Sequence, residues 1–244
     1  MGHCMFLRKG ETHTAPLSGI LASDIAVGST VKLMENGTAV EYLVVNQGIP
    51  GGSSLYDASC DGMWVLRKDI YENRMWDSFN SNSYKDSTIY TYLNSTFLDL
   101  LDSDIQAVVK QVKIPYVNGT GSGGSVASGS NGLSAKIFLL SVYEVGFTTS
   151  YNSYFPVDGA KLSYFISGGD TAADNLRIAN LNGSASFWWL RSPNTATTSY
   201  AWRIFTNGYY EDGSCYSSFG IRPALILPST ALFDKTTLIL KGVA

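Results

Sequence analysis

Residues Trp188 to Pro228 read WWLRSPNTATTSYAWRIFTNGYYEDGSCYSSFGIRPALILP. Both ends have the character of core strand. FWWLRSP (Phe187 to Pro193) and GIRPALILP (Gly220 to Pro228) are short apolar runs closed by proline. Between them, Tyr200, Trp202, Phe205, Tyr209, Tyr210, Tyr216 and Phe219 are interleaved with Ser, Gly, Asp and Asn and show little apolar periodicity. The two ends are expected in the same region of one sheet, with the aromatic segment displayed between them.

Upstream, Ser29 to Gly48 reads as a hairpin: Val31 and Leu33 alternate with polar residues, Asn36-Gly37 supplies the turn, and Val40 to Val45 returns. Gly62 to Ile70 predicts another strand. Ser87 is a candidate N-cap for a helix carrying Ile89, Leu93, Phe97 and Leu101 on one face. Ser103 would cap a second helix with Ile105, Val108, Val109 and Val112 buried, running to Lys113 before Pro115. Asn118 to Gly132 is Gly/Ser-rich and reads as a long surface loop. Lys136 to Ser141 is a buried strand. Ser141 to Glu144 forms a capping box for a one-turn helix that Gly146 stops. The expected class is α+β, with antiparallel strands, two main helices and long loops.

Composition narrows the function classes. The chain has 244 residues, 45% hydrophobic and 15% charged, with net charge −3. That suits one large folded domain or two small ones, and with no basic stripe nucleic acid is not an expected partner. No apolar run is long enough to insert in a membrane, and the N-terminus is not a secretory signal; its first residues read as a tag remnant. Cys4, Cys60 and Cys215 are too few and too widely spaced for a disulfide framework or a metal motif. No GxSxG, HExxH, P-loop or GxGxxG pattern is present, and His3 and His13 both lie near the N-terminus. The glycine runs Gly121 to Gly124 and Ser167 to Asp170 lack a phosphate-binding Lys-Ser/Thr pair. No catalytic residue, cofactor or metal is expected. Arg191 and Arg222, each inside an apolar strand, read as structural guanidinium groups on loop carbonyls or a carboxylate. Of Trp188 and Trp189, at most one should reach a given surface.

The two bookends, with DIAVGSTVKL, LYDASCDGMWVLRKDIYENRMW, IFLLSVYEVG and YFPVDGAKLSYF upstream, resemble variable proteins of diversity-generating retroelements, a phage and gut-bacterial family with a C-type lectin-like domain. The resemblance implies one such domain over 24–228, preceded by a tail at 1–23 and followed by a tail at 229–244. It implies a ligand- or receptor-binding display protein on a phage tail (a virion protein) or a bacterial cell surface, with an unknown protein or glycan receptor and a homo-oligomer as a further partner. Adenine-directed errors in Asn codons give NNY codons, and from Thr195 to Phe219 only Trp202 and Glu211 fall outside that coding set. The implied variable surface comprises Thr197, Ser199, Tyr200, Arg203, Phe205, Tyr209, Tyr210, Glu211, Asp212, Ser214, Tyr216 and Phe219. Trp188, Trp189, Arg191, Trp202 and Arg222 would be framework. The physical chemistry agrees: Tyr offers large rigid contact area, and Ser, Gly and Asn offer adaptable hydrogen bonds. On this reading the aromatic side chains point to solvent and Cys215 is accessible.

Three alternatives compete. The stretch could be a Tyr-rich sheet face packed on itself or on an oligomer partner, making the protein a structural virion or oligomerisation module without a small ligand. A formylglycine-generating-type oxidase would need paired C-terminal cysteines to hold copper, and Cys215 has none nearby. Calcium-dependent sugar binding would need a Glu-Pro-Asn-type cluster, which the sequence lacks.

Overall fold

The computed structural model describes residues 19–118, 124–166 and 171–243. Two five-stranded sheets organise them. Their strands are β1 (Thr30–Glu35), β2 (Thr38–Gln47), β3 (Met63–Arg67), β4 (Asn73–Met75), β5 (Ile137–Phe138), β6 (Trp188–Pro193), β7 (Tyr200–Ile204), β8 (Tyr210–Ser214), β9 (Ser218–Gly220) and β10 (Ala224–Leu227).

The first sheet has the order β5-β10-β3-β2-β1 and is antiparallel throughout. Asn36 and Gly37 turn its hairpin at φ +46° and +73°, the pair of left-handed residues that a type I′ turn requires. β10 and the apolar part of β3 are fully buried, which is why ALIL and MWVL read as unbroken apolar runs. The second sheet has the order β8-β7-β6-β9-β4, antiparallel except where Trp188 pairs with Gly220. β6 and β10 therefore lie in different sheets, contrary to the expectation of a shared one. The chain leaves β9 at Gly220 and crosses through Ile221 to Pro223, where the Pro223 carbonyl accepts from Arg67 N (2.9 Å).

The α+β class with two main helices is overturned. Among the described residues strand outweighs helix, 35% against 18%, in several small, largely antiparallel sheets, with one helix of 13 residues. That helix runs as Thr88–Tyr92, a π-helical stretch Leu93–Phe97, and Leu98–Leu100. Ser87 caps it, accepting from Tyr90 N (3.2 Å), and Ile89, Leu93 and Phe97 are buried as the periodicity requires. The expected second helix stops after six residues, Ser103–Val108. Val112–Ile114 is instead a strand paired with Leu133–Ala135. The valine spacing that fits a helical face also fits a buried strand, and β-branched residues favour the strand. A C-type lectin-like α+β domain is not what these residues build.

The ends differ from expectation as well. Ala231–Phe233 pairs with Ile20–Leu21 on one side and Leu240–Val243 on the other, so the segment after residue 228 is a sheet strand pair rather than a tail. Buried tryptophans tie distant segments together through their indole N–H donors. Trp76 donates to the Leu190 carbonyl (2.9 Å), Trp188 to Arg177 (2.9 Å) and Trp189 to Arg74 (3.0 Å).

Candidate binding surface

A buried ionic frame underlies the second sheet. The capping box forms as read: Glu144 N donates to Ser141 Oγ (3.2 Å), and Ser141 N donates to Glu144 Oε2 (2.9 Å). The box closes a turn rather than a regular helix. Glu144 also grips Arg191 through both terminal nitrogens, at 2.5 and 2.7 Å, and accepts from the Tyr56 hydroxyl (2.8 Å). Arg191 gives its remaining donors to the carbonyls of Pro115, Leu139 and Asp158. Burial is the largest single effect and opposes its charge, but Glu144 and the other groups around it together outweigh burial and hold the guanidinium firmly protonated. Arg222 donates to the Arg67 carbonyl (2.9 Å), and burial lowers its pKa to about 10. Both arginines are buried structural groups.

Three short polar side chains shape the loops at one end of this sheet. Asp77 is buried. Its Oδ2 accepts from Phe79 N and Ser81 N, both at 3.0 Å, and its Oδ1 from Thr88 N (3.1 Å). Its own N–H donates to the Cys215 carbonyl (3.1 Å). Asn82, also buried, donates from Nδ2 to the carbonyls of Tyr200 (2.8 Å), Thr197 (3.0 Å) and Asn194 (3.2 Å). Asn194 Nδ2 in turn donates to Asp212 (2.7 Å). Loops 77–82, 194–200 and 214–218 are thereby fixed to one another.

What these loops display is apolar. Phe79 is 82% exposed, Tyr216 54%, Tyr200 40% and Met75 39%. Register and hydrogen bonds place them together: Tyr200 pairs with Ser214, Met75 pairs with Ser218, and Ser214 Oγ lies 3.1 Å from Asn80 Oδ1. Tyr154, 50% exposed, joins the same end, because its carbonyl accepts from Thr195 (3.0 Å). A groove of about 360 Å³ opens beside them, lined by Asn73, Arg74, Met75, Ser78, Thr88 and Ser218. An aromatic ring held out on a fully bonded loop loses little freedom when a partner covers it.

The residues expected to form the surface divide into three groups. Tyr200, Tyr216 and exposed Glu211, with half-buried Thr197, Ser199 and Ser214, lie on the outside of the sheet or its loops. Arg203, Phe205 and Phe219 form a half-buried stack: the Arg203 guanidinium sits 3.8 Å from the Phe219 ring centre and 4.5 Å from that of Phe187, and Phe205 packs edge-on to Phe187 (4.6 Å). Arg203 also pairs with Glu211. Its Nε and Nη1 have no hydrogen-bond partner, so the rings on either side stand in for one. Tyr209, Tyr210 and Asp212 turn inward. Tyr210 packs on Phe155 (4.8 Å) and Phe147 (5.1 Å), and Tyr209 on Phe147 (5.7 Å).

The expectation that all these aromatics point to solvent is therefore corrected. Strand alternation sends Tyr210 and Trp202 to the side facing Phe155, and Arg203 and Glu211 to the other. Cys215 is fully buried as well, and burial first, then Asp77, raises its thiol pKa well above the ordinary value. Trp188, Trp189 and Trp202 are all buried, so neither member of the Trp188-Trp189 pair reaches a surface. Phe79, Met75 and Tyr154 escaped the sequence reading. The available signal was Phe79, a lone aromatic in the polar run Asp77 to Asn82.

Among the described residues no group of three His, Cys, Asp or Glu is placed to hold a metal. Cys60 is a free, buried thiol that burial pushes up to about 11. The glycine runs Gly121 to Gly124 and Ser167 to Asp170 fall wholly or mostly outside the described residues. No curated protein and no solved structure matches the chain. A family described as "Domain of unknown function (DUF6273)" matches residues 61–229, which holds both bookends, the helix and the whole second sheet. With well over half of its length inside that match, the chain belongs to the DUF6273 family.

Proposed function

We propose that this protein is a binding module that presents an aromatic surface to a protein or glycan receptor. The observation that carries the reading is Phe79, 82% exposed on a loop whose backbone is bonded to a buried carboxylate. A single exposed ring is ordinary on a folded protein, but a ring on a fixed loop beside other exposed apolar side chains supports a pre-organised anchor of the kind a receptor contact uses. Tyr200, Tyr216 and Met75 around it, with Ser, Thr and Asn between, supply the mixture found in adaptable recognition surfaces.

The resemblance to diversified proteins adds a narrower proposal. Substitution is tolerated where side chains are exposed, so diversification would fall on Tyr200, Glu211, Tyr216 and Ser218. It would spare Trp202, Tyr210, Gly213 and Cys215, which pack inward. A phage tail or a bacterial surface remains the proposed setting. The nucleotide sequence of the locus tests this part: a neighbouring reverse transcriptase and a near-repeat of the Thr195 to Leu225 coding region support it, and their absence counts against it.

Binding itself is tested with labelled protein on a glycan array and on intact bacterial cells. Protection from hydrogen exchange in the bound state should fall on residues 75–82 and 197–218. Protection confined to the opposite edge, at β1, would contradict the proposal.

A further inference from the structure

Asp158 is wholly buried, and its carboxyl is short of donors. Arg191 lies beside it, but the guanidinium is engaged elsewhere: two nitrogens on Glu144, the rest on the Pro115 and Leu139 carbonyls and on the backbone oxygen of Asp158 itself. Of the two, Arg191 acts on Asp158 more strongly, favouring its ionised form, and Glu144 opposes it, favouring the acid. The charged and titratable groups facing Asp158 are these two, from β6 and from the 141–146 turn, with the Tyr56 hydroxyl behind Glu144. Asp158 Oδ2 lies 2.7 Å from Ser192 Oγ, and Oδ1 has no hydrogen-bond partner. A buried carboxylate whose only bond from another side chain is one hydroxyl is disfavoured, whereas a neutral acid can share its proton with that hydroxyl.

We propose that Asp158 carries a proton in the folded domain and that this acid–hydroxyl contact latches the segment 151–162 to β6, a latch that weakens as pH rises. The segment matters to the display end: Phe155 packs on Trp202 (4.6 Å) and Tyr210 (4.8 Å), and the Tyr154 carbonyl holds Thr195. The direction of the shift agrees. Burial is the largest effect, Arg191 and Ser192 pull against it, Glu144 adds to it, and the carboxyl is pushed up to about 7. The folded pKa lies above the unfolded one, so the proton's contribution to stability is complete at acid pH. It declines as pH rises toward the folded value and is gone above it. This latch does not depend on whether the aromatic surface binds a receptor.

Thermal unfolding measured between about pH 5.5 and 7.5 tests the latch, because among unperturbed side chains only histidine titrates strongly there, and the thiols of Cys60 and Cys215 begin to contribute only at higher pH. The chain has two histidines, His3 and His13. The wild-type melting temperature should fall by about 3–5 °C per pH unit up to neutrality and then level off. Asp158→Asn, which is neutral at every pH, should remove that slope while leaving the histidine contribution. A flat wild-type profile, or the same slope in Asp158→Asn, overturns the proposal. Should the variant fail to fold, carboxyl carbon NMR of the wild type decides. One aspartate titrating near neutrality upholds the latch, and every aspartate titrating below about pH 5 refutes it.

Discussion

Arg191 and Glu144 form a two-point ion pair at 2.5 and 2.7 Å with both side chains fully buried, joining β6 of the second sheet to the turn that follows β5 of the first. Removing one partner strands the other charge in the interior. Arg191→Met is expected to cost about 3–5 kcal/mol. Arg191→Lys should recover little, because an ammonium cannot reproduce the fork that also reaches Pro115, Leu139 and Asp158. Denaturant unfolding is the measurement, and a loss below about 1 kcal/mol for Arg191→Met would mean the pair is not holding the sheets together.

Cys60 and Cys215 are both free and buried, and burial raises both thiol pKa values. Neither should react with a thiol reagent in the native state. Labelling followed by peptide mapping should find both modified only after denaturation. Rapid native labelling at Cys215 would show that the loop over it opens, and the boundary of the display surface would move inward.

The aromatic residues should separate by orientation. Phe79→Ala, Tyr200→Ser and Tyr216→Ser should each change stability by about 0.5 kcal/mol or less. Trp189→Ala and Phe155→Ala should cost about 3–5 kcal/mol. Tyr210→Ser belongs between them, since its ring packs on Phe155 and its hydroxyl donates to the Tyr151 carbonyl (3.0 Å). Equal losses at Tyr216 and Tyr210 would contradict the assigned orientations.

Asn82 should control loop order rather than the core. Asn82→Ala removes the donor shared by the carbonyls of residues 194, 197 and 200. Hydrogen exchange should quicken across 77–82 and 194–200 while β3 and β10 stay protected. Uniform loosening of both sheets would show that Asn82 is a core residue in effect.

Local signals were readable from sequence where one physical rule governs them. The Asn36-Gly37 hairpin, the Ser87 cap, the Ser141–Glu144 box and the structural roles of Arg191 and Arg222 are all such cases. Val108 to Val112 misled because helix and strand both bury that spacing, and the choice was made by pairing with Leu133–Ala135, far along the chain. The partition of Trp188 and Ala224 between two sheets was likewise invisible, being a matter of tertiary pairing. At the surface, the aromatic richness of residues 200–219 was plain, but which rings face water depends on strand phase. Phe79 lies far from that segment in sequence, and its loop joins it through Asp77, Asn80 and Asn82.

On the proposed reading, a rigid frame holds Phe79, Tyr200 and Tyr216 out for a receptor. The most direct test compares wild type with the triple variant Phe79→Ala, Tyr200→Ser, Tyr216→Ser on whichever array glycan or intact cell the wild type binds, with the melting temperature of both recorded alongside. Binding should weaken at least a hundredfold, about 2.7 kcal/mol, with the melting temperature nearly unchanged. Undiminished binding by a triple variant that melts like wild type would contradict that reading.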